Sequence, residues 1–273
     1  MKDEGSAKSV FQDAYAPDKI ARMVDEIGVR KATAPLFKTY TLALLAGAFI
    51  AFGAMFFTVV MTGEGGAFGL RRLVGGIVFS LGLILVIIGG AELFTGNNLI
   101  VMAWADRRIS ILGLLRNWVV VYVGNLVGAL GCAVLAAYAG LDSLGNGAVG
   151  ETAVAIASAK VALSFQEAFL RGLLCNVLVC LAVWVSLAAH DVSGKILAIL
   201  FPISAFVVLG FEHSVANMYF IPVAMLIDGG GAITVQEFIN NLIPVTLGNI
   251  IGGGVFVAFV YWLIYGTNPA GDA

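Results

Sequence analysis

The sequence predicts an all-α membrane protein of six transmembrane spans, arranged as a 3+3 inverted repeat with two broken helices. Three observations carry this. Of the 273 residues 60% are hydrophobic and only 12% charged, and the mean hydropathy is +0.98, beyond any ordinary soluble domain. The apolar residues gather into six segments, at 39–62, 73–104, 114–140, 161–189, 196–227 and 241–265. The second and fifth exceed the ~20 residues that cross a bilayer, and each holds a polar cluster, "GGAELFTGNN" (89–98) and "GFEHSVANM" (210–218).

Along the chain, residues 1–38 form a polar segment with no early hydrophobic run, so no cleavable signal peptide is expected. Within it, "PDKIARMVDEIGVRKA" (17–32) sets Ile20, Met23, Val24 and Ile27 on one helical face, which predicts an amphipathic helix along the inner membrane surface. The pore domain then runs over 39–265, with repeats at about 39–140 and 161–265, and a short tail occupies 266–273. The two long segments read as helices interrupted at mid-membrane, which lipid tolerates only where the freed backbone lines a cavity. Cys132, Cys175 and Cys180 all lie in apolar runs and read as small core residues.

The repeat is visible in the residues. With Glu92 set on Glu212, Gly90 falls on Gly210 and Asn97 on Asn217. "GNLVG" (124–128) matches "GNIIG" (248–252), each seven residues after an asparagine (Asn117, Asn241), and Gly47 pairs with Gly172. Three spans per repeat is odd, so the second copy enters from the opposite side, and paired broken helices in such halves point to a midplane permeation site. Eleven Lys and Arg fall on the N-terminal side of the spans and three on the other, which sets both termini in the cytoplasm.

Ionisable groups inside a membrane are candidate functional residues. Glu92 and Glu212 open the second half-helices, where a carboxylate accepts from free backbone amides and offsets the positive helix end; Asn97 and Asn217 share that role. His213 has Leu93 as its repeat partner, so symmetry does not require it to be polar. It is either a hydrogen-bonded core residue or a pore group donating to a small anion, with Thr95 facing it across the pseudo-twofold. Asn176 either orients the imidazole or bridges helices, and Lys160, opening the fourth span, either snorkels or draws anions into the outer vestibule. Glu167 and Arg171 stand at ion-pair spacing on that span. Two half-helix N-termini aimed at one point favour an anion. The net charge of −2 excludes a nucleic-acid partner, and neither a metal-ligand cluster nor a cofactor motif is present.

"FSLGLIL…GGAELFTGN", "CNVLVCLAVW" and "GFEHSVANMYFIP" resemble the formate/nitrite transporter family over Lys31 to about Tyr265. The resemblance implies an aquaporin-like homopentamer in a prokaryotic inner membrane, each protomer conducting formate, nitrite or hydrosulfide, with formate favoured. Protons move with the anion or not; both readings stay open. It further implies a pore centre at His213, Thr95 and Asn176, anion attraction by Lys160, and two constrictions. Phe79 and Phe206 match the outer one, Leu83 and Leu93 the inner one, and Val179 joins one of them. The N-terminal helix is implied to take part in pH-dependent gating. Rival classes fit less well. Neither Asn97 nor Asn217 is followed by the Pro-Ala of aquaporins, and His190, at a span end, supplies no twin for an ammonium channel. An intramembrane hydrolase would need Ser214 beside His213 as nucleophile and base, but adjacent side chains diverge.

Overall fold

A computed structural model describes residues 14–266 except 64, 230 and 232, so the first thirteen residues and the tail beyond Gly266 lie outside the described residues. Every named element is helical. α1 (Pro17–Thr33) starts on a proline and stops at Ala34, held extended ahead of Pro35. α2 (Leu36–Met61) follows, then α3 (Phe68–Phe79) and α4 (Leu81–Gly89), which meet at Ser80. After residues 90–95 the chain resumes as a 3₁₀ turn (Gly96–Ile100) and α5 (Val101–Ala105). α6 (Ile111–Tyr138) and α7 (Ala148–Val161) precede α8 (Phe165–Ala188), which opens on a Ser164–Glu167 capping box. α9 (Val192–Val208) and α10 (Ser214–Ile227) flank residues 209–213. α11 (Val235–Ile250) runs through a π-helix (Ile251–Phe259) into α12 (Val260–Tyr265).

Five helical stretches are long and apolar enough to cross a membrane: Leu36–Met61, Phe68–Gly89, Ile111–Tyr138, Phe165–Ala188 and Val235–Tyr265. The remaining apolar segment is divided between α9 and α10, and its partner between α3–α4 and the 3₁₀–α5 stretch. Both breaks fall inside the two polar clusters. The fourth apolar segment starts later than its composition suggests: Lys160 belongs to α7, a separate helix that hydropathy alone joined to the span.

Helices α2 and α6, and likewise α8 and α11, approach through matching glycines. A methyl at Gly128 would lie 2.0 Å from the Leu44 carbonyl oxygen, and one at Gly252 2.1 Å from that of Leu173. Gly128→Ala and Gly252→Ala should therefore each lower unfolding stability by ~1–3 kcal/mol through overpacking. Gly131→Ala, with open space around the added methyl, should not. Thermal unfolding in detergent reads the difference.

α1 packs against the helical body. Its apolar face, Ile20 and Val24 with the small Ala21, Gly28 and Ala32, is buried against Leu99, Ile100, Met102, Leu114 and Trp184. The small residues make this possible: a methyl at Gly28 would sit 3.0 Å from Ala103 Cβ. The amphipathic pattern was correct, and the protein covers this face. Asp25, on the buried side, pairs with Arg108. Burial lifts the Asp25 carboxyl above its usual 3.8, aided by the charges of Asp106 and Glu26 and opposed by Arg108. Docked α1 thus holds that proton more tightly than undocked α1, so docking strengthens toward pH 3.8 and weakens as pH rises through the higher docked value. Spin-label distances between α1 and α6 against pH should show this, and Asp25→Asn should flatten it.

Candidate functional site

Both breaks are built the same way. Gly90 (φ +77) and Gly210 (φ +71) end the first half-helices in the left-handed conformation that glycine adopts without penalty. The freed backbone is then stapled by the asparagines of the repeated GN motif. Asn125 Oδ1 accepts from the Phe94 amide (2.9 Å), and its Nδ2 donates to the carbonyls of Ala43 (2.7 Å) and Glu92 (2.9 Å). Asn249 does the same with the Ser214 amide (2.9 Å) and the carbonyls of Gly172 (2.7 Å) and Glu212 (3.0 Å). The sequence showed this motif without disclosing its use. Its partners are separated from it by 31 to 82 residues.

These bonds also correct one repeat pairing. The Glu92 amide donates to Leu42 and the Glu212 amide to Arg171, so Leu42 matches Arg171 and, five residues on, Gly47 matches Asn176 rather than Gly172. Where Gly47 lets the Asn125 carbonyl approach bare backbone, Asn176 Nδ2 donates to the Asn249 carbonyl at 2.6 Å. This gives Asn176 the local reason its sequence context lacked.

The carboxylates do not meet backbone amides. Glu212 receives both Lys160 Nζ (2.9 and 3.1 Å) and Asn217 Nδ2 (2.7 Å), and Asn217 in turn donates to Asn241 (2.8 Å). Glu92 receives Lys31 Nζ (3.0 Å) and Asn97 Nδ2 (2.7 Å), and Asn97 donates to Asn117 (2.9 Å). The backbone amides are already taken by Asn125 and Asn249, which leaves the carboxylates to lysines. Lys160 therefore neither snorkels nor presents a free charge. Lys31, which sequence reasoning passed over, is its counterpart, since Asn117 and Asn241 donate to the carbonyls of Lys31 and Lys160 respectively. α1 and α7 thus carry equivalent lysines in the two repeats.

Between the breaks, Thr95 Oγ1 lies 3.0 Å from His213 Nε2, and both residues are buried. His213 is also the N-cap of α10: its Nδ1 accepts the Ala216 amide at 3.1 Å. An Nδ1 that accepts leaves the neutral ring's hydrogen on Nε2, which donates to Thr95 Oγ1 and frees the threonine hydroxyl hydrogen for another acceptor. Asn176 does not touch the imidazole. It donates to the Thr95 carbonyl (3.2 Å), as do Asn98 Nδ2 (3.3 Å) and Cys180 Sγ (3.4 Å), so this carbonyl is gripped from three sides. Close packing of the π-helix behind this grip requires Gly253, where a methyl would lie 2.4 Å from Asn176 Nδ2.

Two vestibules approach this contact. The one beside α7, about 650 Å³, is lined by His213, Phe57, Phe79, Phe206 and Phe220 and by Arg71, Arg72, Lys160, Arg171, Glu151 and Glu212. The one beside α1, about 460 Å³, is lined by Leu83, Leu93, Glu92 and Asn97 and by Arg30, Lys31, Lys38 and Lys195. Phe206 stacks on His213 at 6.0 Å, Phe79 meets Phe206 edge-on at 5.6 Å, and Phe220 stacks on Phe79 at 6.4 Å. Phe57 and Phe220 were not singled out from sequence, although Phe220 sits within the "GFEHSVANMYFIP" stretch. Val179 is buried in the core and lines neither vestibule. His190 is far from this contact in role: it packs on Tyr15, 4.3 Å between ring centroids.

Two broken helices meeting at a buried histidine–threonine contact, with a cationic vestibule on each side, define a multi-pass membrane transport protein. The chain belongs to the formate/nitrite transporter family: that family's profile matches residues 18–263. A protein of Methanothermobacter thermautotrophicus named a probable formate transporter is 48% identical over 92% of this chain and 97% of its own length. The formate channel FocA of Escherichia coli (strain K12) is 43% identical over 93% of this chain and 95% of its own. Among solved structures, a pentameric formate channel with formate bound superposes with a TM-score of 0.78 at 42% identity, covering 84% of this chain and 97% of that one. An FNT family ion channel superposes at 0.79 with 31% identity, covering 91% and 98%.

Proposed function

We propose that this protein conducts a small monovalent anion, formate first, with nitrite and hydrosulfide as alternatives, across a prokaryotic inner membrane. It acts as a homopentamer with one pore per protomer and does no covalent chemistry. The six spans form two oppositely inserted repeats with both termini cytoplasmic, the pore domain covering 39–265. The carrying observation is the His213–Thr95 contact: a donor pair with one hydroxyl hydrogen free, set between two vestibules of basic character.

The physics runs from mouth to midplane. Basic side chains concentrate anions at each vestibule. A bare anion then faces the Phe79–Phe206 aromatics on one side and Leu83 with Leu93 on the other, where an uncompensated charge is heavily penalised. Thr95, backed by His213, offers the hydrogen bond that lowers this penalty. Because Nδ1 is committed to the Ala216 amide, His213 serves as a fixed hydrogen-bond donor, and protonation of the departing anion falls to vestibule water.

Uptake of labelled formate into proteoliposomes tests this, with nitrite and hydrosulfide as competitors, with and without an inward proton gradient. Saturable formate uptake blocked by the competitors is expected. Transport of water or glycerol without any anion flux would overturn it.

A further inference from the structure

Lys160 was the sequence's choice of anion attractor, but its ammonium is held by both oxygens of Glu212 and the pair is close to neutral. The cationic groups of the α7-side vestibule that hold no carboxylate at ion-pair distance lie elsewhere. Arg171 stands on α8 with Glu167 one turn before it, yet the Glu167 carboxylate turns back to the Ser164 amide (3.0 Å) and hydroxyl (2.7 Å). Arg72 donates to carbonyls, from Nε to Val208 (3.3 Å) and from Nη2 to Val207 (3.0 Å), and lies over the Phe68 ring at 5.8 Å. Among the described residues neither arginine has a carboxylate within ion-pair distance. Both line the same cavity and each is half-buried, while Glu212 and Glu167 act on them only from beyond ion-pair distance. Two guanidinium groups in one cavity, with no carboxylate at ion-pair distance, draw an anion.

We propose that Arg171 and Arg72 form an anion-capture station in the α7-side vestibule, selective for a small planar oxyanion with two oxygens. The geometry sets the class. Arg171 offers its whole guanidinium fork, which matches a carboxylate or nitrite bidentately and an ion with one acceptor atom, such as chloride or hydrosulfide, poorly. Arg72, with Nε and Nη2 committed to the end of α9, adds charge and its remaining Nη1 donors. The Phe206 ring on that side leads directly to His213, so a captured anion waits at the entrance to the constriction. The α1-side vestibule also carries basic side chains, Arg30, Lys31, Lys38 and Lys195, but the residue matching Arg171 on its broken-helix staple is Leu42, so this station belongs to the α7 side. The station rests on the anion-conducting reading above and adds its preferred ligand and its polarity.

The test uses the full-length protein in oriented proteoliposomes, with formate flux measured from each side. In Arg171→Gln the half-saturation concentration for entry from the α7 side should rise about tenfold, the weight of one charge-assisted hydrogen bond. Entry from the α1 side should be unchanged, as should the maximal rate. Arg171→Lys keeps the charge but not the fork, so it should recover capture while losing the preference for formate over chloride as competitor. A second arm is independent of transport: ¹³C-formate line broadening by detergent-solubilised protein, in which His213→Phe should still bind and His213→Phe/Arg171→Gln should not. Wild-type flux with unaltered half-saturation in Arg171→Gln from both sides would overturn the station and leave the conducting function standing. Absence of flux in the wild type with binding that depends on Arg171 would overturn the function and leave the station.

Discussion

His213→Phe is expected to abolish anion flux while the protein still assembles. The substitution removes two things at once: the Nε2–H donor to Thr95 and the Nδ1 acceptor that caps α10. Loss of one donor aimed at a developing charge in a dry site lowers rates by about 10²–10³-fold in comparable settings, and a phenylalanine beside Phe206 extends the apolar barrier further. His213→Asn separates the roles, since asparagine is a strong N-cap but is too short to reach Thr95. It should fold close to wild type and still conduct poorly. Thr95→Val, which keeps shape and removes the hydroxyl, should match it in flux. Uptake of labelled formate, read beside circular dichroism and sizing of each variant, decides the matter. Wild-type flux in Thr95→Val would sink the idea that the threonine hydroxyl meets the anion.

Breaking the Lys160–Glu212 pair should give the largest loss of stability. The side chains are 15% and 6% exposed, and removing either partner strands the other charge in a buried site, at about 3–5 kcal/mol. Glu212→Ala also orphans Asn217 Nδ2, so it should be worse than Lys160→Ala. The equivalent Lys31–Glu92 pair is 26% and 13% exposed, and water compensates part of a lost charge there. Lys31→Ala should therefore destabilise less than Lys160→Ala. A double variant, Lys160→Met/Glu212→Gln, should recover much of the loss, because a neutral pair of similar volume leaves no charge stranded. Thermal unfolding in detergent orders the four variants, and equal losses in the two repeats would contradict the burial argument.

The membrane class, the two breaks and the repeat were all legible in the chain. Hydropathy over ~20 residues is a local sum, and a polar cluster within an overlong apolar run is visible without knowing what it touches. Equivalence at Glu92/Glu212 and Asn97/Asn217 was equally plain, because both lie at one offset in short motifs. The pairing of His213 with Thr95 came from the matching loops of the two repeats together with the resemblance, although 118 residues separate them.

Partners were a different matter. Carboxylates at half-helix N-termini suggest backbone capping, yet Asn125 and Asn249 occupied those amides first, and Glu92 and Glu212 turned to lysines 61 and 52 residues away. Asn176 read either as orienting the imidazole or as bridging helices, and it bridges, gripping the Thr95 and Asn249 carbonyls. Arg171 looked like the mate of Glu167 until a capping box claimed the carboxylate. α1 read as an amphipathic helix, and only its small residues let that face pack on the half-helix beneath. In each case two local rules competed for one group. Composition and periodicity determined that polar groups sit inside apolar segments and where the chain breaks to hold them. Tertiary structure decided which donor meets which acceptor, because hydrogen bonds and ion pairs are settled by distances of about 3 Å between residues that the sequence keeps far apart.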